Sequence, residues 1–215
     1  MFLATMSSSA TVLRGATAQT ASRGLSVELT PIDVDPKHRE RKNFGALTLA
    51  GAFHLQSKDQ RFGGLSGLSF GKDGRLYAVS DRGYWLSARK ETDENGALTN
   101  LVDWEIGPML TTAMIPVTGR QRDAEALTPA RDGSLPVGFE GAHRIWRYSA
   151  PPNTVASAPI AVPIPAAVAR APANGGIEGI TTLPDGRLLI LTEQFTNPDG
   201  SVKGWLLDDS QTAEL

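Results

Sequence analysis

Apolar, β-branched runs alternate with polar turns along the chain, and one such arrangement occurs three times. The copies read SGLSFGKDGRLYAVSD from Ser66, EALTPARDGSLPVGFE from Glu125 and EGITTLPDGRLLILTE from Glu178. Each copy has Asp-Gly between two strand-like runs, which is a strong hairpin signal because Gly tolerates the positive φ of a tight turn. The pattern therefore predicts three β-hairpins of one design.

The spacing of the copies indicates a repeat architecture. Their first residues, 66, 125 and 178, are 59 and 53 residues apart. A period of roughly 50 residues made of short strands is typical of a β-propeller blade. Further strand-like segments lie between and after the hairpins, at 101–109, 143–150, 159–165 and 203–209, and helical periodicity is hard to find. The sequence predicts an all-β propeller of four-stranded blades.

The length of the repeat region sets an expectation about closure of the ring. Residues 66–215 have room for only about three blades, whereas propellers close with about four to eight. We therefore expect part of a larger propeller, of the six-bladed type when complete. The alternative is self-association, in which a second copy of the chain closes the ring.

Composition excludes several classes of function. The net charge is −2 with interspersed signs, which argues against nucleic acid or an anionic membrane as the main partner. No apolar run approaches the roughly 20 residues of a membrane helix. The chain has no Cys, so disulfides and thiolate chemistry are excluded.

The first 22 residues are small and polar, and they lack a core pattern. Ala16-Thr17-Ala18 resembles a signal-peptide cleavage site, although no basic region precedes it. Two interpretations of residues 1–22 stay open, a remnant signal segment and a disordered terminus. We assign 23–215 to a partial propeller domain and expect a periplasmic or secreted protein.

The ends of the repeats carry acids. If Asp-Gly forms a two-residue loop, Glu125 faces Glu140 and Glu178 faces Glu193; a three-residue loop would shift each pairing by one. Because each hairpin returns to the side from which it started, both of its ends should lie at one mouth of the channel. The acids expected there are Asp81, Asp123, Glu125, Glu140, Glu178 and Glu193.

Grouped carboxylates require compensation, either shared protons with raised pKa values or a hard cation. Ligands that are all oxygen suit calcium, whereas zinc fits poorly because Cys is absent and the three His are scattered. We expect Glu125 and Glu178 to be catalytic, and calcium to be held by Asp81, Asp123, Glu140 and Glu193. The simpler alternative is that these acids only solvate strand ends.

Other residues near the acids have weaker signals. Arg82 and Arg122 are candidates for binding a substrate phosphate or carboxylate bidentately, the alternative being surface ion pairs. His143 is a candidate general base, although a His in a loop is more often merely exposed. The four Trp follow the hairpins and are predicted to pack between blades; they are Trp85, Trp104, Trp146 and Trp205.

The segments RDAEALTPARDG, GGIEGITTLPDGRLLILTEQ and GLSGLSFGKDGRLYAVSDRG resemble the bacterial phytase-like family, also called "esterase-like activity of phytase". The resemblance extends over about 63–194 and implies a β-propeller, export, and hydrolysis of a small phosphoester or ester. It also implies that the six acids are the acidic positions of the family. Ser66 departs from the pattern, because it stands where the other copies have Glu.

Two alternatives to a calcium-dependent hydrolase stay open. One is a non-catalytic periplasmic propeller that binds a ligand or a partner protein at the acidic mouth. The other is a propeller similar to lactonases, in which a single divalent ion assists the opening of a sugar lactone.

Overall fold

The computed structural model describes residues 23–151, 154–208 and 212–214. Within these residues the secondary structure is almost entirely β, which confirms the all-β prediction. The helical segments found there are 3-10 helices at Gly119–Gln121, Thr154–Ala156 and Ala166–Arg170. In the described part of the chain no helix has the length and apolar character to cross a membrane. The suggested cleavage site at 16–18 lies outside the described residues.

An N-terminal segment of five short strands precedes the repeats. Its strands are β1 (Arg23–Gly24), β2 (Glu28–Pro31), β3 (Asn43–Phe44), β4 (Leu47–Thr48) and β5 (Phe53–Gln56). Strands β2 and β5 pair antiparallel, as do β3 and β4. The segment packs on one face of the sheet formed by the first repeat (residues 65–108). The apolar residues that make this contact are Leu25 and the half-buried Val27, Leu29 and Leu55. The segment thus covers apolar surface that this sheet would otherwise expose.

Each repeat forms an antiparallel sheet, which we call a blade. The strands of blade 1 are β6 (Leu65–Phe70), β7 (Arg75–Ser80), β8 (Tyr84–Thr92) and β9 (Leu98–Pro108), with β1 added at its outer edge. Those of blade 2 are β10 (Ala124–Leu127), β11 (Leu135–Phe139), β12 (Arg144–Tyr148) and β13 (Ile160–Val162). Those of blade 3 are β14 (Ile177–Thr182), β15 (Leu188–Thr196), β16 (Val202–Leu207) and β17 (Thr212–Glu214). In each blade the strands follow one another in chain order.

The first strands of the blades lie side by side, with β10 between β6 and β14. Apolar residues fill the space between neighbouring blades. Between blades 1 and 2, Trp85 packs edge to face on Tyr148 with ring centroids 5.1 Å apart. Between blades 2 and 3, Ile145 and Trp205 belong to one core cluster. All four Trp are buried, and Trp85 and Trp205 lie at blade boundaries as predicted. Trp104 instead packs on Phe62, in the cluster that blade 1 forms with the N-terminal segment.

We call the first strands of the blades, β6, β10 and β14, the inner strands. The inner strands β6 and β10 approach so closely that Gly67 has no room for a side chain. A Cβ at Gly67 would lie 2.9 Å from the backbone N of Leu127 in blade 2 and 2.9 Å from Cγ2 of Val79. Gly179 holds the same repeat position in blade 3, where a Cβ would meet only the Leu191 side chain, at 3.4 Å. The close approach at Gly67 therefore belongs to the boundary between blades 1 and 2.

Gly67→Ala should consequently lower the free energy of unfolding by about 1–3 kcal/mol, because the backbone of one blade must move. Gly179→Ala, the matched control, should change it by less than about 0.5 kcal/mol. Urea denaturation of both variants measures the difference. Equal stability of the two variants would contradict the packing described here.

Candidate acid-lined site

The turn of each hairpin differs from the prediction. In blade 2 the Gly133 N–H donates to the Ala130 carbonyl (2.9 Å), the Ala130 N–H donates to the Ser134 carbonyl (2.8 Å), and Gly133 has φ +86°. These bonds define a three-residue loop that ends in a left-handed Gly. Gly74 and Gly186 occupy the same place in the other two turns. The expected two-residue Asp-Gly loop is wrong, and each pairing shifts by one residue.

A bulge then moves the pairing again at the start of each inner strand. The register shifts between residues 65 and 67, 124 and 126, and 177 and 179. Glu125 therefore does not face Glu140; instead the Glu140 N–H donates to the carbonyl of Asp123 (2.8 Å). Glu178 likewise does not face Glu193, because the Glu193 N–H bonds the Gly176 carbonyl (3.0 Å). Since bulges re-aim side chains, these two Glu point differently from a regular strand residue.

Five of the six acids that were expected at one mouth nevertheless gather. Asp123, Glu125 and Glu140 each place a carboxylate oxygen within 4.8 Å of the others, and we call them the first acid cluster. Glu140, Glu178 and Glu193 do the same and form the second acid cluster. Glu140 belongs to both clusters, so five carboxylates from blades 2 and 3 form one continuous acidic surface.

Glu140 is fixed at the boundary between these blades. Its Oε1 accepts hydrogen bonds from the backbone N–H groups of Gly176 (2.6 Å) and Gly175 in blade 3, and the residue is only 3% exposed. The two Gly stand directly before strand β14 in the sequence NGG. Their two consecutive amides hold an anionic oxygen, a role that the two Gly in a row could have signalled.

The acids raise each other's pKa. Burial, and then the charge of Glu178, raise the pKa of Glu125 to about 7. Burial, and then the charge of Glu140, raise the pKa of Glu178 to about 7. Burial and the charge of Glu140 also raise the pKa of Asp123, and a hydrogen bond with Glu125 and the nearby Arg122 only partly offset them. The site therefore has an excess of negative charge that a bound cation would relieve.

Asp81 and Ser66 show how blade 1 differs from the other two blades. The Asp81 carboxylate lies directly against Gly64 and is in neither acid cluster, although its charge contributes to the raised pKa of Asp123. Ser66 occupies the bulge position of Glu125 and Glu178, and its hydroxyl donates to the Ala124 carbonyl of blade 2. The bulge position of blade 1 thus joins two blades and adds no acid.

Of the three basic candidates beside the acids, Arg82 and His143 have other contacts. The Arg82 guanidinium donates to the carbonyls of Gln60 (3.0 Å) and Phe62 (3.2 Å). Arg122 is exposed and directly precedes Asp123. Nε2 of His143 lies 3.0 Å from the Pro172 carbonyl, and its ring packs against Gly176. The roles predicted for Arg82 and Arg122 in binding substrate stay predictions.

The acidic surface is separate from the cavities found beside the N-terminal segment. Those cavities have volumes of about 510 Å³ and 470 Å³, and both are lined by residues 24–26 together with parts of β5 or β9. None of the six acids that the sequence predicts at the channel mouth lines either cavity. The chemistry that the sequence predicts therefore belongs to the acid clusters rather than to these cavities.

The fold and the acid clusters describe an all-β, propeller-like protein with an anionic site at the ends of the first strands of its sheets. The chain belongs to the phytase-like family described as "esterase-like activity of phytase", whose model matches residues 60–213. No curated protein gave a significant match to the chain.

Solved structures with a similar course of the chain include two lyases and a putative lactonase. A catalytically inactive virginiamycin B lyase from Staphylococcus aureus, solved with quinupristin, is 16% identical, and the match covers 78% of this chain and 46% of that one (TM-score 0.47). A streptogramin B lyase is 18% identical, with 77% and 44% covered (TM-score 0.46). A putative gluconolactonase is 17% identical, with 78% and 53% covered (TM-score 0.44). The chain thus spans about half the length of these structures.

Proposed function

We propose that this chain carries the acidic site of an exported ester or phosphoester hydrolase that uses a calcium ion. The observation that supports the proposal is the convergence of five carboxylates from two blades, with Glu140 shared by both clusters. The chain contributes three blades, and we propose that the complete ring has six. Export, calcium and the class of substrate are all parts of this proposal.

The donor atoms fit calcium. Calcium takes oxygen ligands at about 2.3–2.6 Å, so two oxygens on opposite sides of one ion lie about 4.8 Å apart. In each acid cluster one carboxylate oxygen of each residue lies within 4.8 Å of the corresponding oxygens of the other two. Every side chain in the clusters offers oxygen alone, and their mutual repulsion would be relieved by a divalent cation. Glu140 would hold the ion together with Asp123 in the first acid cluster or with Glu193 in the second. The part predicted for Asp81 in holding calcium stays a prediction, because Asp81 is in neither cluster.

The acids at the two β-bulges, Glu125 and Glu178, are suited to proton transfer at neutral pH. In the metal-free protein Glu125 and Glu178 have pKa values of about 7. A bound cation would lower both values and keep the carboxylates ionised, as a general base requires. A bound calcium ion would stabilise negative charge that develops on the attacked ester or phosphoester group. Glu125 or Glu178 would take the proton of the attacking water, and Arg82 and Arg122 would contact the anionic part of the substrate.

Hydrolysis assays test this function. We expect the protein to cleave members of a panel of phosphomonoesters, carboxylic esters and sugar lactones, and to lose turnover in EDTA. Glu125→Gln and Glu178→Gln should each lower kcat by about 100-fold or more, the usual contribution of a general base. Glu94→Gln, which removes an exposed acid in a distant turn, serves as the matched control and should keep full activity.

The assay outcomes separate the hypotheses. Turnover that is indifferent to EDTA would exclude the calcium mechanism. Turnover of lactones alone would favour the lactonase alternative.

A non-catalytic binding propeller is the second candidate, and the position of Glu140 favours it. Glu140 is almost inaccessible and already joins blade 2 to blade 3, so an ion at Glu140 would also stabilise the fold. Calcium would then raise the melting temperature without turnover of any substrate in the panel.

A further inference from the structure

A half-buried arginine, Arg144, lies next to the acid clusters without pairing with them. Its guanidinium carbon is 3.8 Å from the ring centroid of Phe139 and 4.1 Å from that of Trp146. Burial lowers its pKa to about 10, so the side chain is charged at neutral pH. Its Nε is buried and has no hydrogen-bond partner among the described residues. A cation on two aromatic faces is worth about 1 kcal/mol or more when partly desolvated.

The hydrogen bonds of Arg144 go to backbone carbonyls of two different segments. Nη1 donates to the carbonyl of Ala142 (2.8 Å), and Nη2 donates to the carbonyl of Gln121. Gln121 ends the 3-10 helix Gly119–Gln121, two residues before Asp123. Ala142 lies two residues after Glu140. The planar fork of Arg144 thus connects the segment that carries Asp123 with the loop that carries Glu140.

The second acid cluster has its own anchor. There Glu140 accepts the amides of Gly175 and Gly176, and the Glu193 N–H bonds the Gly176 carbonyl (3.0 Å). Arg144 makes none of these bonds. Loss of the guanidinium should therefore disturb the first acid cluster and leave the second in place.

We propose that Arg144 is a positioning residue that holds the Asp123 segment against the Glu140 loop and so preforms the first acid cluster. The relevance of this cluster to calcium rests on the proposed function. The position of the two segments does not, and it can be measured without any metal.

Three equivalent amides provide the test. Each lies near the end of the second strand of its blade and donates to a backbone carbonyl just before the start of the first strand. The three hydrogen bonds run from Asp81 to Gly64 (2.9 Å), from Glu140 to Asp123 (2.8 Å) and from Glu193 to Gly176 (3.0 Å). Hydrogen exchange followed by NMR in EDTA reports on all three in one sample. In Arg144→Met, which keeps an apolar chain against the two rings, we expect the Glu140 amide to exchange about tenfold faster or more. The Asp81 and Glu193 amides should change less than about twofold.

Two further variants sharpen the comparison. Arg144→Lys keeps the charge but lacks the fork, so it should behave like Arg144→Met, and it carries the same test if the Met variant does not fold. Arg147→Met removes a charge three residues along the same strand, β12, and should leave all three amides unchanged. Equal acceleration of the three amides, no acceleration at Glu140, or wild-type behaviour of Arg144→Lys would each overturn the proposal.

Calcium titration forms a separate arm. If the protein binds calcium, Arg144→Met should weaken the affinity about tenfold, the usual effect of losing a residue that orients metal ligands. If the unaltered protein binds no calcium, the proposed function fails, and the exchange data still decide the role of Arg144. If calcium binds equally tightly with and without Arg144 and the Glu140 amide exchanges at the same rate in both proteins, the positioning role is overturned.

Discussion

Glu140→Gln should lower the calcium affinity of the protein by about 100-fold or more, since the loss of a buried charge partner costs about 2–5 kcal/mol. The reason is that Glu140 is the member shared by both acid clusters. The amide oxygen of Gln can still accept from Gly175 and Gly176, so the fold should persist. Calorimetric titration of calcium measures the affinity, and circular dichroism verifies the fold.

Glu140→Ala separates the two roles of this residue. It leaves the Gly175 and Gly176 N–H groups without an acceptor at a buried boundary, and each buried unsatisfied group costs about 1–3 kcal/mol. We expect the free energy of unfolding to fall by about 2–4 kcal/mol in EDTA, whereas Glu140→Gln should change it by no more than about 1 kcal/mol. Calcium binding by Glu140→Gln at wild-type affinity would contradict the shared-ligand role, and equal stability of the two variants would contradict the anchoring role.

The second large effect concerns pH. The folded-state pKa values of Glu125 and Glu178 are about 7, raised from the usual 4.5. Between these values the folded protein binds more protons than the unfolded chain, so stability is greatest near pH 5 and falls as the pH rises towards 8. Because both groups are only half-buried and solvent screens them, we expect a loss of about 1–2 kcal/mol in all.

Urea denaturation in EDTA at pH 5, 6, 7 and 8 measures this slope. In the double variant Glu125→Gln and Glu178→Gln the slope should largely disappear, because neither side chain can ionise. Calcium should restore stability most at pH 8, where the carboxylates are ionised and ready to bind it. A stability that stays constant or rises from pH 5 to pH 8 in the unaltered protein would contradict the raised pKa values.

Much of the fold could be predicted from the sequence, because its signals are local. Asp-Gly between apolar runs marks each hairpin, and the strand-like segment at 101–109 corresponds to the end of β9 (Leu98–Pro108). The repeat spacing predicted a series of similar sheets. The gathering of the acids at one end also followed from the antiparallel return of each hairpin.

The register could not be predicted. Asp-Gly suits both a two-residue turn and the last two positions of a three-residue loop, and only the backbone conformation of Gly133 distinguishes them. The bulges at Glu125 and Glu178 leave no mark in an apolar–polar pattern. Two successive shifts changed the partner of each acid, although the acids still reached the same place.

Contacts between distant residues were also beyond the sequence. The bonds from Gly175 and Gly176 to Glu140 join residues at least 35 positions apart. The bond from Arg144 of β12 to Gln121, just before β10 of the same blade, spans 23 positions, and its donor resembled any other strand Arg in the sequence. Both kinds of bond join residues far apart in the chain, which no local pattern specifies.

Calcium titration with proton counting tests the acid site most directly. Protein stripped with EDTA and dialysed is titrated at pH 6.5 in two buffers of different ionisation enthalpy. Because Glu125 and Glu178 are partly protonated at that pH, binding should release about one proton or more. In Glu140→Gln the binding heat and the proton release should both fall, in line with the expected loss of calcium affinity of about 100-fold or more. Absence of binding, or binding without proton release in the unaltered protein, would contradict a calcium site built from these carboxylates.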